Sequence, residues 1–179
     1  MKQSVFISTF RDSIGHESVV LDIGAGSGGA AYRMAQQGAQ VDAVSLETLH
    51  PDCEHPRLRF RQARIETWLT EADDRHYTHV NMCQILQFLE SRFVTGNLET
   101  WLWNHTSAGS TLHIQTFHRL PQGWTSDQLM TLWSAADLQI VFHRWTPILI
   151  QQTPGRRCRA RVGSYNMFWC TYALFRRPS

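Results

Sequence analysis

The chain has 179 residues, 42% of them hydrophobic and 18% charged, with a formal net charge of +2. This composition suits a globular chain with one sizeable core and excludes an intrinsically disordered one. No apolar run approaches the ~20 residues of a membrane-spanning helix, and the segment Met1–Phe10 is apolar too briefly for a signal peptide, so a cytoplasmic protein is expected.

In chain order, Val19–Ile23 is a short apolar run ending at Gly24 and reads as a buried parallel strand. Gly28–Gln37 follows as a helix with Ala31, Met34 and Ala35 on one face and Gly38 at its end. Gln40–Leu46 and Leu58–Gln62 read as the second and third strands, with a short helix at Ile65–Leu69. Tyr77–Cys83 is a fourth strand, followed by a helical pattern at Ile85, Leu86, Phe88 and Leu89. Phe93–His105 reads as a helix with Leu98, Trp101 and Leu102 inward, Ala108-Gly109 as a turn, and Thr111–Phe117 as the fifth strand. Ser126 is placed to cap a helix over Asp127–Ala136, with Leu129, Met130 and Trp133 as its apolar stripe. Leu138–Trp145 and Tyr165–Phe175 read as long strands, with Pro154-Gly155 punctuating the stretch between them. Alternation of this kind predicts a single α/β domain over 1–179: a mainly parallel seven-stranded sheet, helices on both faces, and a C-terminal antiparallel hairpin.

The chemistry concentrates at Asp22-Ile-Gly-Ala-Gly-Ser-Gly28, between the first strand and the first helix. Gly24 permits a tight turn out of the strand. Gly26 has no side chain, so a ligand can approach the backbone beside Ala25. The helix N-terminus then offers unpaired N–H groups. A lone Gly-x-Gly is weak evidence, and the flanking strand and helix are what strengthen it. The spacing differs from the Gly-x-Gly-x-x-Gly of dinucleotide enzymes, and an acid precedes it.

This segment resembles motif I of the class I S-adenosylmethionine-dependent methyltransferases. With Leu21–Ala35, Gly38, Val41–Ala43, Leu86–Glu90 and the terminal Tyr172-Ala-Leu-Phe-Arg-Arg177, residues 19–177 are similar to the tellurite-resistance (TehB-like) branch. The resemblance implies the Rossmann-like methyltransferase fold and S-adenosylmethionine as cofactor. It implies cofactor contacts at Asp22, Gly24, Ala25, Gly26, Ser45, Leu46, Glu47, Arg64, Ile65, Met82 and Cys83. The activity it implies is in-line methyl transfer to a small-molecule acceptor.

Several positions depart from that pattern. The family's ribose-binding acid at the end of the second strand falls on Ser45; Glu47, two residues on and on the same strand face, is the nearest substitute. The acid that meets the adenine amine falls on Arg64, whose guanidinium only donates, leaving Ala63 or Ile65 to flank the ring. Thr78 or His79 stands where the fourth strand commonly begins with Asp, and Gln151-Gln152 replaces a His-Arg. These departures leave open a non-catalytic interaction subunit on the same fold that has lost normal cofactor binding, or a nucleotide-binding protein.

His118 and Arg119 follow the fifth strand and are the candidates for orienting an acceptor or accepting a proton; His118 can equally serve only to cap the strand. His50-Pro-Asp-Cys-Glu-His55 gathers zinc-type ligands, but no second cluster at standard spacing accompanies it, so a polar loop and no metal are expected. Cys53, Cys83, Cys158 and Cys170 form no Cys-x-x-Cys pair and read as reduced thiols. Charge is uneven: residues 118–179 hold eight arginines against two aspartates. Arg156, Arg157, Arg159 and Arg161 flank the last hairpin turn, either as a solvated hairpin or as a surface for an acidic ligand or partner. The small net charge and the lack of a basic helical stripe argue against nucleic acid.

Overall fold

The structure, a computed structural model, describes Phe10 and residues 12–72, 74–119, 130–159 and 165–179, with backbone alone at 154–159 and 165–168. Seven strands, β1 (Val19–Ile23), β2 (Gln40–Ser45), β3 (Leu58–Gln62), β4 (Tyr77–Cys83), β5 (Thr106–Arg119), β6 (Thr146–Arg159) and β7 (Tyr165–Arg176), form one sheet in the order β3-β2-β1-β4-β5-β7-β6. β1 to β5 pair in parallel, and β7 runs antiparallel to both β5 and β6. The apolar β1 lies between β2 and β4, where a strand buried on both faces belongs. The expected Rossmann-like methyltransferase sheet with its antiparallel C-terminal pair is therefore present, with β7 inserted beside β5 and β6 at the edge.

Helices α1 (Gly29–Gln36), α2 (Ile65–Glu71), α3 (Glu99–Asn104) and α4 (Ala135–Val141) complete the described elements, α3 being led by a π-helical turn at Phe93–Leu98. Alternate side chains of each strand feed two separate cores. Leu21, Ile23, Val80, Met82, Leu112 and Ile114 join Leu98, Leu102 and Leu138 on one face. Val20, Val41 and Ala43 join Met34 and Ala35 of α1, together with Phe10 and Ile14, on the other. Among the described residues no helix is long and apolar enough to cross a membrane.

Three segments differ from the sequence expectation. A helix over Asp127–Ala136 followed by a strand at Leu138–Trp145 is replaced by α4 at Ala135–Val141, with β6 beginning at Thr146; Ser126 and residues 127–129 lie outside the described residues. The cause is a capping box: Ser134 Oγ accepts from Asp137 N at 3.2 Å, and Asp137 Oδ2 accepts from Ser134 N at 2.8 Å. Leu138, Val141, Phe142 and Trp145, all buried, then follow a helical period rather than an alternating one. The turn at Ala108-Gly109 falls inside β5 as a bulge, Gly109 taking φ +86°, between pairs Tyr77–Thr106 and His79–Thr111. The helical pattern after β4 is only a 3-10 turn at Leu86–Phe88.

Candidate functional site

The strand order reverses between β1 and β4, and open α/β sheets bind ligands at the carboxyl ends of their strands at such a point. A cleft of about 660 Å³ lies there, walled by the loops leaving β1, β2, β3 and β4. That volume is in the range of small-molecule sites.

The β1 loop turns sharply because Gly24 N and Ala25 N both donate to Val44 O, at 2.9 and 3.2 Å. Gly24 adopts φ +76°, and a Cβ there would stand 2.7 Å from Ile85 Cβ. Only glycine satisfies both constraints. Gly26, at φ +57°, would point a Cβ into open space, meeting only Glu47 Oε2 and Oε1 at 3.8 and 3.9 Å. The loop thus leaves a backbone surface uncovered, with a carboxylate beside it.

Glu47 reaches that position through Ser45. The Ser45 hydroxyl accepts from Glu47 N at 3.1 Å and turns the chain as β2 ends, while Ser45 O accepts from Ala63 N at 2.8 Å. Ser45, Leu46 and Glu47 all line the cleft, with Leu46 65% exposed. From the turn after β3 and the start of α2 come Ala63, Arg64, Ile65 and Glu66. Ile65 is rooted in the core. Arg64 folds toward Glu66, with Nη2 3.3 Å from Oε1. Glu66 was not anticipated from the sequence; it supplies an acceptor two residues from a position where Arg64 can only donate.

The fourth wall is Gln84, Ile85, Phe88 and Leu89. Gln84 adopts φ +59°, the one positive φ outside glycine among the described residues. Its N–H donates to Gln115 O at 2.7 Å, and its carbonyl accepts from Gln87 Nε2 at 2.8 Å. Gln87 is itself buried and accepts from Thr116 Oγ1 at 3.2 Å. This brace throws the chain outward, so Phe88 stands 45% exposed at the mouth.

Met82 and Cys83 do not line the cleft. Met82 is fully buried in the core, and Cys83 Sγ donates to Gln115 Oε1 at 3.2 Å. Asp22 lies beneath the glycine loop, 1% exposed, with Oδ1 accepting from Asn81 Nδ2 at 2.7 Å. Its Oδ2 meets no hydrogen-bond donor among the described residues. Burial pushes its pKa up to about 6, opposed by the Asn81 hydrogen bond and then by Arg33. Asn81 Oδ1 in turn faces His113 Nδ1 at 2.6 Å.

His118 and Arg119 sit at a register shift at the end of β5 and do not line the cleft. His118 Nδ1 is 3.2 Å from Thr171 Oγ1, and Arg119 lies over the Trp169 ring at 5.9 Å. Partial burial, more than the neighbouring Arg119, lowers the His118 pKa. His50 Nδ1 and His55 Nδ1 accept from Asp52 N and Arg57 N, each at 3.2 Å, as local turn caps. Cys53, Cys83 and Cys170 are in the thiol form. The side chains of Arg156–Arg161, like that of Cys158, lie outside the described residues.

The sheet order and the glycine-turn cleft define the Rossmann-like fold of the class I methyltransferases. The chain superimposes on 1,6-didemethyltoxoflavin-N1-methyltransferase from Burkholderia thailandensis, solved with 1,6-didemethyltoxoflavin and S-adenosylhomocysteine, with a TM-score of 0.69 and 18% identity, over 96% of this chain and 76% of that one. TehB from Haemophilus influenzae gives a TM-score of 0.70 and 12% identity, over 98% and 62% of the two chains. The [4+2]-cyclase SpnF gives 0.71 and 13%, over 98% and 80%. At these identities the likeness is one of fold. No protein-family model matches the sequence, and no curated protein matches it at a significant level.

Proposed function

We propose that this chain is an S-adenosylmethionine-dependent methyltransferase acting on a small-molecule acceptor. The observation that carries this reading is the Glu47 carboxylate standing over the bare backbone of Gly26 at the mouth of the cleft. Two carboxylate oxygens beside an uncovered glycine suit a ligand with vicinal hydroxyls. The apolar faces of Ala63, Ile65, Ile85 and Leu89 suit a flat ring beside it, with Glu66 as an acceptor for a ring amine. Asp22, buried beneath the loop with no donor to its Oδ2 among the described residues, puts negative charge under the cleft floor, which favours a ligand carrying an ammonium group above it. These features together fit an amino-acid-bearing nucleoside.

When bound, S-adenosylmethionine supplies a methyl group already activated by its sulfonium. The protein's task is then to hold two reactants in line and to exclude water. Gly24 and Gly26 open the floor, Glu47 holds the sugar, and Ile65 and Leu89 enclose the base. His118 and Arg119, at the end of β5, are assigned to the acceptor side. Similarity to the TehB-like branch favours a soft nucleophile as acceptor, and a cytoplasmic location goes with that reading.

Gly26→Asn tests the reading. Asparagine tolerates φ +57°, so the variant keeps its fold while its side chain occupies the ligand's place. The expected result is an unchanged circular dichroism spectrum with loss of S-adenosylhomocysteine binding and of methyl transfer to small thiol and amine acceptors. Binding and transfer that survive at wild-type levels would move the ligand elsewhere. A wild type that binds no S-adenosylhomocysteine at all would favour the non-catalytic subunit.

A further inference from the structure

The Asp22–Asn81–His113 row is not part of the cleft wall, yet it forms a continuous line of buried polar side chains beneath the glycine loop. Asp22 pairs with Asn81 and Asn81 with His113 in the registers of β1–β4 and β4–β5. The three side chains therefore lie abreast across three adjacent strands, about 4.8 Å apart, close enough for one amide to bridge the other two. All three are buried.

Their roles follow from what each atom can do. A charged carboxylate only accepts, so Asn81 must turn its NH2 toward Asp22. The Asn81 carbonyl then faces His113 and requires a donor, so His113 carries its proton on Nδ1. Burial keeps that imidazole neutral, its pKa pushed down to about 4. Phe10 stacks on the ring at 5.0 Å and 27° and clamps it from the N-terminal side. The carboxylate lies two residues before Gly24, at the root of the glycine loop.

We propose that Asn81 and His113 are positioning residues for ligand binding: they hold the Asp22 carboxylate charged and correctly turned beneath the glycine loop. The proposal rests on the cofactor reading above. Without the His113 N–H, the Asn81 carbonyl loses its donor and the amide is free to turn. Its oxygen would then face Asp22 and disfavour the charged form. Other groups bear on the same carboxylate. Arg33 of α1 is the cation that attracts it. Among the described residues His79, Cys83, Tyr172 and Cys170 also lie on this face, from β4 and β7, and His79 is within reach of Ser13 Oγ at 3.1 Å and Thr78 Oγ1 at 2.8 Å.

The test is a carbon-13 titration of the Asp22 carboxyl in ligand-free protein, paired with S-adenosylhomocysteine affinity at several pH values. In the wild type the midpoint is expected at about 6. In His113→Leu it is expected higher by about one pH unit or more, and His113→Gln, which can still donate, should restore much of the difference. Affinity in His113→Leu should fall roughly threefold or more at pH 6.5 and lie within about twofold of wild type at pH 8.5, where the carboxyl is mostly charged in either protein. Asn81→Ala removes the donor itself and should raise the midpoint likewise, which covers the case in which His113→Leu does not fold. An unmoved Asp22 midpoint in a folded variant, or the same loss of affinity at every pH, would overturn the proposal. Absence of cofactor binding in the wild type would count against the functional reading alone, since the ligand-free titration still decides the relay.

Discussion

A Cβ on Gly24 would stand 2.7 Å from Cβ of Ile85, so the loops leaving β1 and β4 approach more closely than any side chain at position 24 allows. That contact forms the inner corner of the cleft. Gly24→Ala should lower stability by about 2–4 kcal/mol, combining overpacking with the cost of φ +76° for a residue with a Cβ. Adding Ile85→Ala relieves the overpacking but not the backbone cost, so the double variant should recover only part of the loss to Gly24→Ala. Urea denaturation of the two variants and of Ile85→Ala alone measures both terms, and a Gly24→Ala change within about 0.5 kcal/mol would remove the contact from the account.

Glu47 is exposed and its side chain makes no hydrogen bond or ion pair among the described residues. Its substitution should therefore leave stability within about 0.5 kcal/mol. Affinity should behave differently. Glu47→Ala is expected to weaken S-adenosylhomocysteine binding by about ten- to a hundredfold, the worth of charge-assisted hydrogen bonds to hydroxyls. Fluorescence titration with a parallel melting curve distinguishes this from a general loss of structure.

Asp42 of β2 gathers two arginines and a tyrosine hydroxyl. It accepts from Arg59 Nε at 2.6 Å and Nη2 at 2.8 Å, from Tyr77 Oη at 2.9 Å, and from Arg75 at 3.3 Å. Its own side chain is 6% exposed while that of Arg59 is 55% exposed, so solvent screens part of the pairing. Asp42→Ala should cost about 2–3 kcal/mol, mostly from stranding the buried tyrosine hydroxyl and the half-buried Arg75. Denaturant midpoints give this directly, and cofactor affinity should be unchanged because Asp42 lies outside the cleft.

Asp22 and His113 impose opposite pH dependences on folding. The folded Asp22 pKa is raised from 3.8 to about 6, so its contribution to stability is greatest below pH 4 and falls as pH rises toward 6. The folded His113 pKa is lowered from 6.5 to about 4, so its contribution rises over pH 4 to 6.5. Each spans about 3 kcal/mol and the two largely cancel between pH 4 and 6. In Asp22→Asn the falling part disappears, and stability should climb by about 3 kcal/mol from pH 4 to 6.5, relative to a flatter wild type. Denaturation at half-unit pH intervals checks the slope; a variant as flat as the wild type would contradict it.

Local signals account for what could be read in the sequence. A strand, a glycine turn and a helix adjoin at residues 19–37, and each announces itself within a few residues, so the fold class and the glycine floor of the cleft were legible there. Ser45, Leu46, Glu47, Arg64 and Ile65 reach the cleft because they end strands whose limits were well marked. Gln84, Ile85, Phe88 and Leu89 were not legible as lining, since their direction depends on one positive φ and a buried glutamine brace. Met82 and Asn81 alternate across β4, and which faces the polar row is a matter of register with β1 and β5. The apolar residues at 138, 141, 142 and 145 fit a helix or a strand equally until the Ser134–Asp137 box selects the helix.

The proposed function requires the cleft over Gly26 to take S-adenosylmethionine. Calorimetric titration of the protein with S-adenosylmethionine, S-adenosylhomocysteine and NAD, side by side at pH 7.5, tests it most directly. Dissociation constants on the order of micromolar are expected for the first two, about −8 kcal/mol, with NAD at least about tenfold weaker because its second nucleotide carries no ammonium group to sit above the Asp22 carboxylate. No heat from either sulfur ligand at millimolar concentration, or tightest binding by NAD, would contradict it.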